Sequence, residues 1–189
     1  MNSINFTASL VQRSQIMKRQ SDNEFRPVTL SIVELDKNDE KDVKALYKTA
    51  IDWTYQGAKY SSNIYHEAVK GFEYDNIEKE HYFALTEQQN NFKELDSDKI
   101  LGLMLFSHTT HENDEISWLQ VRPNTKTKDS WNREYKGVGK AMVNLLSRVN
   151  YGKPIYVQSS NEAIEFYKKQ GFKNSGEDIS SCMIKEVNE

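Results

Sequence analysis

The chain has 189 residues, 37% of them hydrophobic, which suits one domain with an appended segment. Its net charge is −3, whereas nucleic-acid-binding proteins typically carry a net positive charge, so nucleic acid is not expected as a partner. Cys182 is the single cysteine, so an intramolecular disulfide is excluded. The sequence contains no run of about 18 apolar residues, the length that a membrane-spanning helix needs. The N-terminal residues lack the apolar core of a signal peptide, so we expect a cytoplasmic protein.

The first 26 residues are polar and weakly patterned. Their apolar positions that could share one face of a short helix are Leu10, Val11, Ile16 and Met17. We expect residues 1–26 to form a mobile tail or docking arm. A single folded domain is expected to occupy residues 27–189.

From residue 28 the pattern becomes regular. Residues 28–35 alternate apolar and polar side chains, which predicts a strand. A helix follows over residues 40–51, with Asn38 or Asp39 as its N-cap. The apolar stripe of this helix is predicted to contain Val43, Leu46, Tyr47, Ala50 and Ile51. A second helix is predicted over residues 61–74, with Tyr65, Ala68, Val69 and Phe72 on one face.

The second half of the chain is predicted to form a mixed sheet. Strands are expected over residues 81–87, 99–109, 115–121, 153–160 and 178–187, and helices over residues 138–149 and 161–170. The charged segment 124–136 is predicted to be a long loop. A strand, a helix and a strand in succession predict one parallel pair joined by a crossover, while the hairpins make the remaining sheet antiparallel.

Two glycines stand where the central helix begins, in the segment YKGVGKAM. Gly137 and Gly139 can adopt backbone angles that other residues avoid, so successive N–H groups can converge on one point. The N-terminus of the helix adds unsatisfied N–H donors and a partial positive charge. The segment therefore predicts a site for a phosphate or a pyrophosphate group.

Two common phosphate motifs fit this segment poorly. A P-loop needs Ser or Thr directly after its Gly-Lys pair, whereas Ala141 follows Lys140 here. A dinucleotide fingerprint needs Gly or Ala where this chain has Met142.

The segment instead resembles the acyl-coenzyme A loop of the GNAT acetyltransferase superfamily, with the pattern Gln/Arg-x-x-Gly-x-Gly/Ala. Gly137 and Gly139 match its two small positions, and Glu134 stands where the family has Gln or Arg. The later segment NEAIEFYKKQGFK is similar to another motif of that family, matched by Asn161, Ala163, Tyr167, Gly171 and Phe172. The strand that ends in VRP also resembles the family's fourth strand.

The resemblance implies a fold and a reaction. The expected fold is the mixed α/β GNAT acyl-CoA N-acyltransferase fold, in which helices flank a mostly antiparallel sheet. The expected reaction transfers an acetyl group from acetyl-CoA to a primary amine of a small molecule or peptide. Transfer would be direct, in a ternary complex without a covalent enzyme intermediate, and a homodimer is compatible with the family.

The resemblance also implies where the donor binds. The pantetheine arm would pair with the edge of the strand at Leu119, Gln120 and Val121, and one N–H of this strand would face the developing oxyanion. Main-chain groups of the glycine segment would hold the pyrophosphate: Tyr135, Lys136, Gly137, Val138, Gly139, Lys140 and Ala141. Asn161 would contact the pantetheine arm, although a helix cap is an equally good explanation of this residue.

Tyr167 matches the family's usual tyrosine acid and would protonate the leaving thiolate. The alternative is that Tyr167 is a core residue, because it shares an apolar face with Ala163 and Phe166. A general base is also needed, and Glu115 at the start of its strand is the leading candidate.

Three other candidates for the base lie on the preceding turn: Glu112, His111 and His108. A solvated loop residue is the commoner role for each of the four. The histidines have no metal-ligand spacing with Cys182, so no metal is expected, and Cys182 is expected to be a buried strand residue.

The acceptor site is less determined. Residues 52–67 carry Trp53, Tyr55, Tyr60 and Tyr65, which suit either an aromatic acceptor slot or plain packing. The long loop could cover the donor, touch the acceptor, or be a mobile insertion. One rival function is a GNAT-like interaction module without catalysis, and another is an acetylating toxin that acts on charged tRNA.

Overall fold

The computed structural model of the chain describes residues 8–71, 76–123, 133–150, 152–176 and 181–186. Its strands are β1 (Ser9–Arg19), β2 (Phe25–Leu35), β3 (Ile77–Thr86), β4 (Ile100–Thr109), β5 (Asp114–Val121), β6 (Tyr135–Lys136), β7 (Ile155–Gln158), β8 (Lys173–Asn174) and β9 (Cys182–Lys185). Its helices are α1 (Glu40–Tyr55), α2 (Tyr60–Lys70), α3 (Val138–Val149) and α4 (Ile164–Lys169).

Within the described residues, the nine strands form one sheet in the order β6-β1-β2-β3-β4-β5-β7-β9-β8. Neighbouring strands are antiparallel except β5 and β7, which are parallel and are connected through α3. The predicted mixed, mostly antiparallel sheet and its parallel pair are therefore confirmed.

The sheet separates two hydrophobic cores. Side chains of α3, such as Met142 and Leu146, belong to a core that also contains Phe83 and Phe106. Side chains of α1 and α2 belong to the other core. Strand β4 is buried along its whole length, because it lies in the middle of the sheet with a core on each face.

The N-terminal segment differs from the prediction. In place of a mobile tail, a docking arm or a short helix, residues Ser9–Arg19 form strand β1, which pairs with β2 along its length. The spacing of Ile16 and Met17 from Leu10 and Val11 was compatible with a helix. The prediction is wrong because pairing with β2 decides the local conformation, a contact that local periodicity does not contain.

Helix α1 begins where predicted, since Asp39 is its N-cap and accepts hydrogen bonds from the amides of Lys41 and Asp42. Its buried face is rotated relative to the predicted stripe: Tyr47 and Ile51 are 45% and 40% exposed. The buried face instead includes Asp42, Thr49 and Trp53. Two of these side chains are polar, so a search for apolar residues alone misplaces the face.

Several other boundaries shift by a few residues. The predicted helix over residues 161–170 begins as a short 3-10 turn at Asn161–Ala163, and α4 covers only Ile164–Lys169. The two-residue strands β6 and β8 were not predicted. Residues 124–132 of the predicted loop and Phe72 of the predicted second helix lie outside the described residues.

Cys182 is a buried strand residue with a free thiol, as predicted. No helix within the described ranges is long and apolar enough to cross a membrane.

Burial raises the pKa of Asp42 to about 6, because the side chain faces the core and only its Oδ2 accepts a clear hydrogen bond, from the amide of Asp36. The folded protein therefore holds this proton more tightly than the unfolded chain. The stability that Asp42 contributes is full below about pH 4 and is lost as the pH rises through 6. We expect Asp42→Asn, which removes the charge and keeps the oxygen acceptor, to stabilise the protein by about 1–2 kcal/mol at pH 8.

Thermal unfolding at pH 4 and pH 8 measures this effect, with exposed Asp52→Asn as the control on the same helix. The stabilising effect of Asp42→Asn should disappear at pH 4. An equal change in melting temperature at both values would contradict the explanation.

Candidate active site

The site begins where two parallel strands part. Strands β5 and β7 pair only at Asp114 and Glu115, opposite Ile155 and Tyr156. Beyond Glu115, β5 keeps its hydrogen bonds to β4 but has no ladder partner on its other side among the described residues. A cleft therefore opens between the strands.

A bulge bends β5 at the start of this cleft. On β4, Leu105 and Phe106 are adjacent, but their partners on β5 are Trp118 and Ile116, so Ser117 is the extra residue. Bulges increase the local twist and redirect side chains. Here Ile116, Ser117 and Trp118 all border the cleft.

The cleft contains a cavity of about 290 Å³. Aromatic, aliphatic and neutral polar side chains line it, and the lining consists of Tyr60, Ile116, Ser117, Trp118, Leu119, Val157, Gln158, Ser159, Ser160, Ala163 and Tyr167. No charged side chain belongs to that described lining. The parting of the strands thus produces an uncharged slot that an amide-bearing ligand could enter.

A second cavity of about 340 Å³ continues from the first. The two share five lining residues: Tyr60, Leu119, Ser160, Ala163 and Tyr167. The second adds Val121, Arg133, Gly139, Glu162 and Phe166. The cleft therefore runs from between the strands to the first turn of α3, with Arg133 as a cation near that end.

Glycine is needed at each of the two predicted positions for a different structural reason. Gly137, the N-cap of α3, has a φ of +94°, a conformation that side-chain-bearing residues rarely adopt. Gly139 permits a close approach, because a Cβ there would lie 3.1 and 3.2 Å from ring carbons of Phe166. The first-turn amides of α3 lie at this close contact, next to the second cavity.

Strand β6 fixes the position of the segment that precedes these glycines. Tyr135 and Lys136 pair with Lys18 and Met17 of β1. The Tyr135 side chain is fully buried, and its hydroxyl donates a hydrogen bond to the Glu87 carboxylate. Lys18 forms an ion pair of 2.8 Å with the same carboxylate. The segment that leads to the glycine turn is therefore held by strand β1.

This arrangement bears on the predicted donor residues. Lys136, Gly137, Lys140 and Ala141 border a groove next to β1, and of the predicted segment only Gly139 lines the cleft. The Lys136 ammonium lies 3.7 Å from the centre of the Phe25 ring. Any contribution of these residues to the cleft would come from their main chains, together with that of Val138.

The three strand residues predicted for the pantetheine arm are placed differently. Leu119 and Val121 line the second cavity. Gln120 is buried, and its amide side chain donates to the Val121 carbonyl while accepting from the Tyr60 amide at 3.4 Å. Asn161 is exposed, and the 3-10 turn there has Ser160 as its N-cap without a side-chain bond.

Tyr167 lines both cavities although only 6% of its surface is exposed. Its ring packs edge-on against Phe166 and Phe172, at centroid distances of 5.0 and 5.3 Å. Burial, and then the nearby Tyr60 phenol, raise the pKa of Tyr167. The core and site explanations of this residue are thus compatible: the ring packs in the core and the residue borders the cleft.

Glu115 lies just outside the cavity lining, where burial raises its pKa. It pairs across the strands with Ser107, whose hydroxyl lies 3.0 Å from that of Ser117. Because paired residues project on the same face of a sheet, Glu115, Ser107 and Ser117 form a short polar row that leads into the cleft.

The other candidate bases lie elsewhere. His111 and Glu112 are exposed on the turn before β5. His108 is buried, and its Nδ1 lies 2.6 Å from the fully buried Asp114 carboxylate, which Lys153 approaches at 3.8 Å. No cluster of metal-ligating side chains occurs in the part of the chain that the structure describes.

Sequence reasoning did not single out Trp118, which stacks on Tyr60 at 5.4 Å with an angle of 25° between the rings. Of the aromatic residues in segment 52–67, Tyr60 lines the cleft, whereas Trp53 is fully buried and Tyr55 is 89% exposed. Periodicity could have placed Trp118 on the strand, but only the bulge turns it to the cleft.

Comparison with known proteins supports the fold. No protein-family model and no curated protein matches the chain. Among solved structures, a protein of Lactobacillus plantarum assigned as an N-acetyltransferase is 12% identical, with a TM-score of 0.54 over 84% of this chain and 99% of that one. An acetyltransferase from Streptococcus agalactiae is 14% identical, with a TM-score of 0.53 over 84% of this chain and 98% of that one.

An acetyltransferase of the GNAT family from Staphylococcus aureus is 12% identical, with a TM-score of 0.52 over 84% of this chain and 99% of that one. At these identities the comparisons bear on the fold alone. The chain has the GNAT acyltransferase fold, as the sequence motifs predicted.

The close approach of Gly139 to the Phe166 ring predicts how a side chain at position 139 would change stability. Alanine there would gain helix propensity but would force its Cβ against the Phe166 ring, so we expect Gly139→Ala to destabilise the protein by about 1–2 kcal/mol. In a Phe166→Leu background, which removes the obstructing ring atoms, the same change should be neutral or stabilising. Denaturant unfolding of the four proteins measures the coupling, and an equal cost of Gly139→Ala in both backgrounds would refute this account.

Proposed function

We propose that this protein is an N-acetyltransferase that moves an acetyl group from acetyl-CoA to a primary amine of a small molecule or peptide. Transfer is direct, within a ternary complex and without a covalent enzyme intermediate. The observation that carries the proposal is the continuous cleft, which runs from Gly139 in the first turn of α3 to Tyr167 between the parted strands.

The donor end of the cleft fits a coenzyme with a pyrophosphate and a peptide-like arm. First-turn amides of α3, at Val138, Gly139 and Lys140, have no partner within the helix and suit phosphate oxygens. Arg133 supplies a cation to the same cavity. The free edge of β5 from Leu119 to Val121 suits the amides of a pantetheine arm, because a strand edge pairs with any extended amide chain.

Bound acetyl-CoA would supply an activated acyl thioester. The N–H groups on the free side of β5 are suited to stabilise negative charge on the acyl oxygen as it develops. Tyr167 keeps its proton at physiological pH because its pKa is raised, so its hydroxyl remains a hydrogen-bond donor for the leaving sulfur. That hydrogen bond strengthens as charge builds on the sulfur, which lowers the barrier selectively.

We assign the base to Glu115, acting through the polar row rather than by direct contact. The proton leaves the acceptor nitrogen to Ser117, passes to Ser107 and reaches the Glu115 carboxylate. Burial raises the pKa of Glu115 toward neutral pH, and a general base is most effective when its pKa lies near the working pH.

The rival is a binding module with the same fold and no transferase activity. It predicts either no binding of acetyl-CoA or binding without release of free thiol in the presence of any amine. The uncharged lining and the position of Tyr167 at the junction of the two cavities favour the enzyme.

Removal of the Tyr167 hydroxyl tests the proposal. We expect Tyr167→Phe to lower kcat for acetyl transfer by about 10²-fold, because the leaving sulfur loses its proton donor. Acetyl-CoA affinity, measured by calorimetry, should stay within about threefold because the ring is retained. Thiol release is followed with acetyl-CoA and a panel of amines, and Tyr156→Phe, outside the cavity lining, is the control. A wild-type protein that does not bind acetyl-CoA would refute the proposal.

The pH dependence tests the base. With an acceptor that stays neutral throughout, kcat/KM should rise with pH through a midpoint above 4.5, the ordinary glutamate value, because burial raises the pKa of Glu115. Glu115→Gln should abolish this rise and lower the plateau by about 10²-fold. Exposed Glu112→Gln should leave the profile unchanged. A profile that is identical in Glu115→Gln and the wild type would exclude this carboxylate as the base.

A further inference from the structure

The lining of the first cavity carries information about the acceptor. The polar groups of its side chains are hydroxyls, one amide and one indole N–H, and no described residue of the lining is charged. The connected cavity adds two charged residues of opposite sign, Arg133 and Glu162. Glu115 belongs to neither described lining, and its cross-strand neighbour Ser107 is hydrogen-bonded to Ser117. Among the described residues, the five that line both cavities are uncharged.

This environment discriminates against an ammonium group. A charged amine in an apolar slot loses its hydration without gaining a counter-ion, which is strongly unfavourable. An aliphatic amine with a pKa of about 10.4 is neutral in only about one molecule in a thousand at pH 7.4. An amine bonded to an aromatic ring is neutral across the physiological range, since the ring delocalises its lone pair. Such an acceptor enters the slot without an ionisation cost.

The aromatic residues of the slot favour the same class of ligand. Tyr60 and Trp118 stack on one another and both line the cavity. The Tyr60 backbone N–H donates a hydrogen bond to the side-chain oxygen of Gln120. A flat ligand would meet preorganised aromatic surface.

We propose that the acceptor is a weakly basic aromatic amine, whose ring packs against Tyr60 and Trp118 while its nitrogen faces Ser117 and Tyr167. This inference rests on the proposed transferase function. In the reaction the nitrogen–carbon bond forms and the carbon–sulfur bond breaks. One proton leaves the nitrogen through the serine pair and one reaches the sulfur from Tyr167, which is reprotonated from solvent. The products are the aromatic amide and free coenzyme A.

A matched set of acceptors tests the class. p-Toluidine is neutral and aromatic, benzylamine is cationic and aromatic, cyclohexylmethylamine is cationic and saturated, and spermidine is a polycation. With acetyl-CoA at pH 7.5, we expect kcat/KM for p-toluidine to exceed that for cyclohexylmethylamine by at least about tenfold. Benzylamine should gain on p-toluidine as the pH is raised to 9.5, because its neutral fraction increases.

Variants separate ring recognition from the transfer step. Tyr60→Leu and Trp118→Leu should each lower kcat/KM for p-toluidine by about tenfold relative to the wild type. Trp118 lines only the first cavity, so Trp118→Leu should leave acetyl-CoA affinity by calorimetry little changed. Tyr55→Leu, whose ring is 89% exposed, should have no effect. Thermal unfolding of each variant shows that the fold is retained.

The outcomes distinguish this inference from the proposed function. If acetyl-CoA binds but spermidine or cyclohexylmethylamine is the preferred acceptor, the acceptor is a cationic amine. The inference is then overturned, while the transferase proposal stands. If acetyl-CoA does not bind, both are overturned. A preference for p-toluidine that the two leucine variants abolish supports the aromatic amine.

Discussion

The separation of two parallel strands after two residue pairs is the constraint on which the site depends. If β7 followed β5 for its full length, the cleft would be closed and Tyr167 would have only a core to face. The separation leaves the far edge of β5 without a strand, and buried backbone N–H and C=O groups are rarely left unpaired in native proteins. A ligand with its own amides can satisfy that edge. The bulge at Ser117 adds to the effect, because it turns Trp118 and Ile116 toward the same space.

A second constraint comes from the opposite edge of the sheet. The glycine turn needs a left-handed backbone at Gly137, and such a turn is useful only if the segment before it is held. Strand β1 provides this support through β6, and the buried Tyr135 hydroxyl is tied to Glu87, which Lys18 also contacts. The end of the cleft at α3, where we propose that the donor binds, therefore depends on strand β1, more than a hundred positions earlier in the chain. A strand in that place is an integral part of the sheet.

The sequence predicted the elements whose signals are local. The cap at Asp39, the helix after Gly137 and the strand alternation of residues 28–35 depend on near neighbours, and each is present. The misses share a non-local cause. Strand β1 is fixed by its pairing with β2, and the buried face of α1 is decided by internally bonded polar residues. The glycine and tyrosine motifs located the cleft, but Trp118 and the serine row could not be predicted, because a bulge shifts register without a sequence signature.

The absence of charge from the described lining and the burial of Tyr167 are two aspects of one physical requirement. During the proposed acetyl transfer, charge appears on the oxygen, nitrogen and sulfur only transiently, whereas a resident charge in the slot would be desolvated throughout the catalytic cycle. Neutral donors in a medium of low polarity behave differently: they gain strength as charge develops and need little reorganisation. The carboxylate proposed as the final proton acceptor, Glu115, stands outside the described lining, with its cross-strand neighbour Ser107 bonded to Ser117. In the proposed mechanism the acid inside the slot is neutral, and the only full charge is on a carboxylate whose partial burial raises its pKa and so makes it a better base.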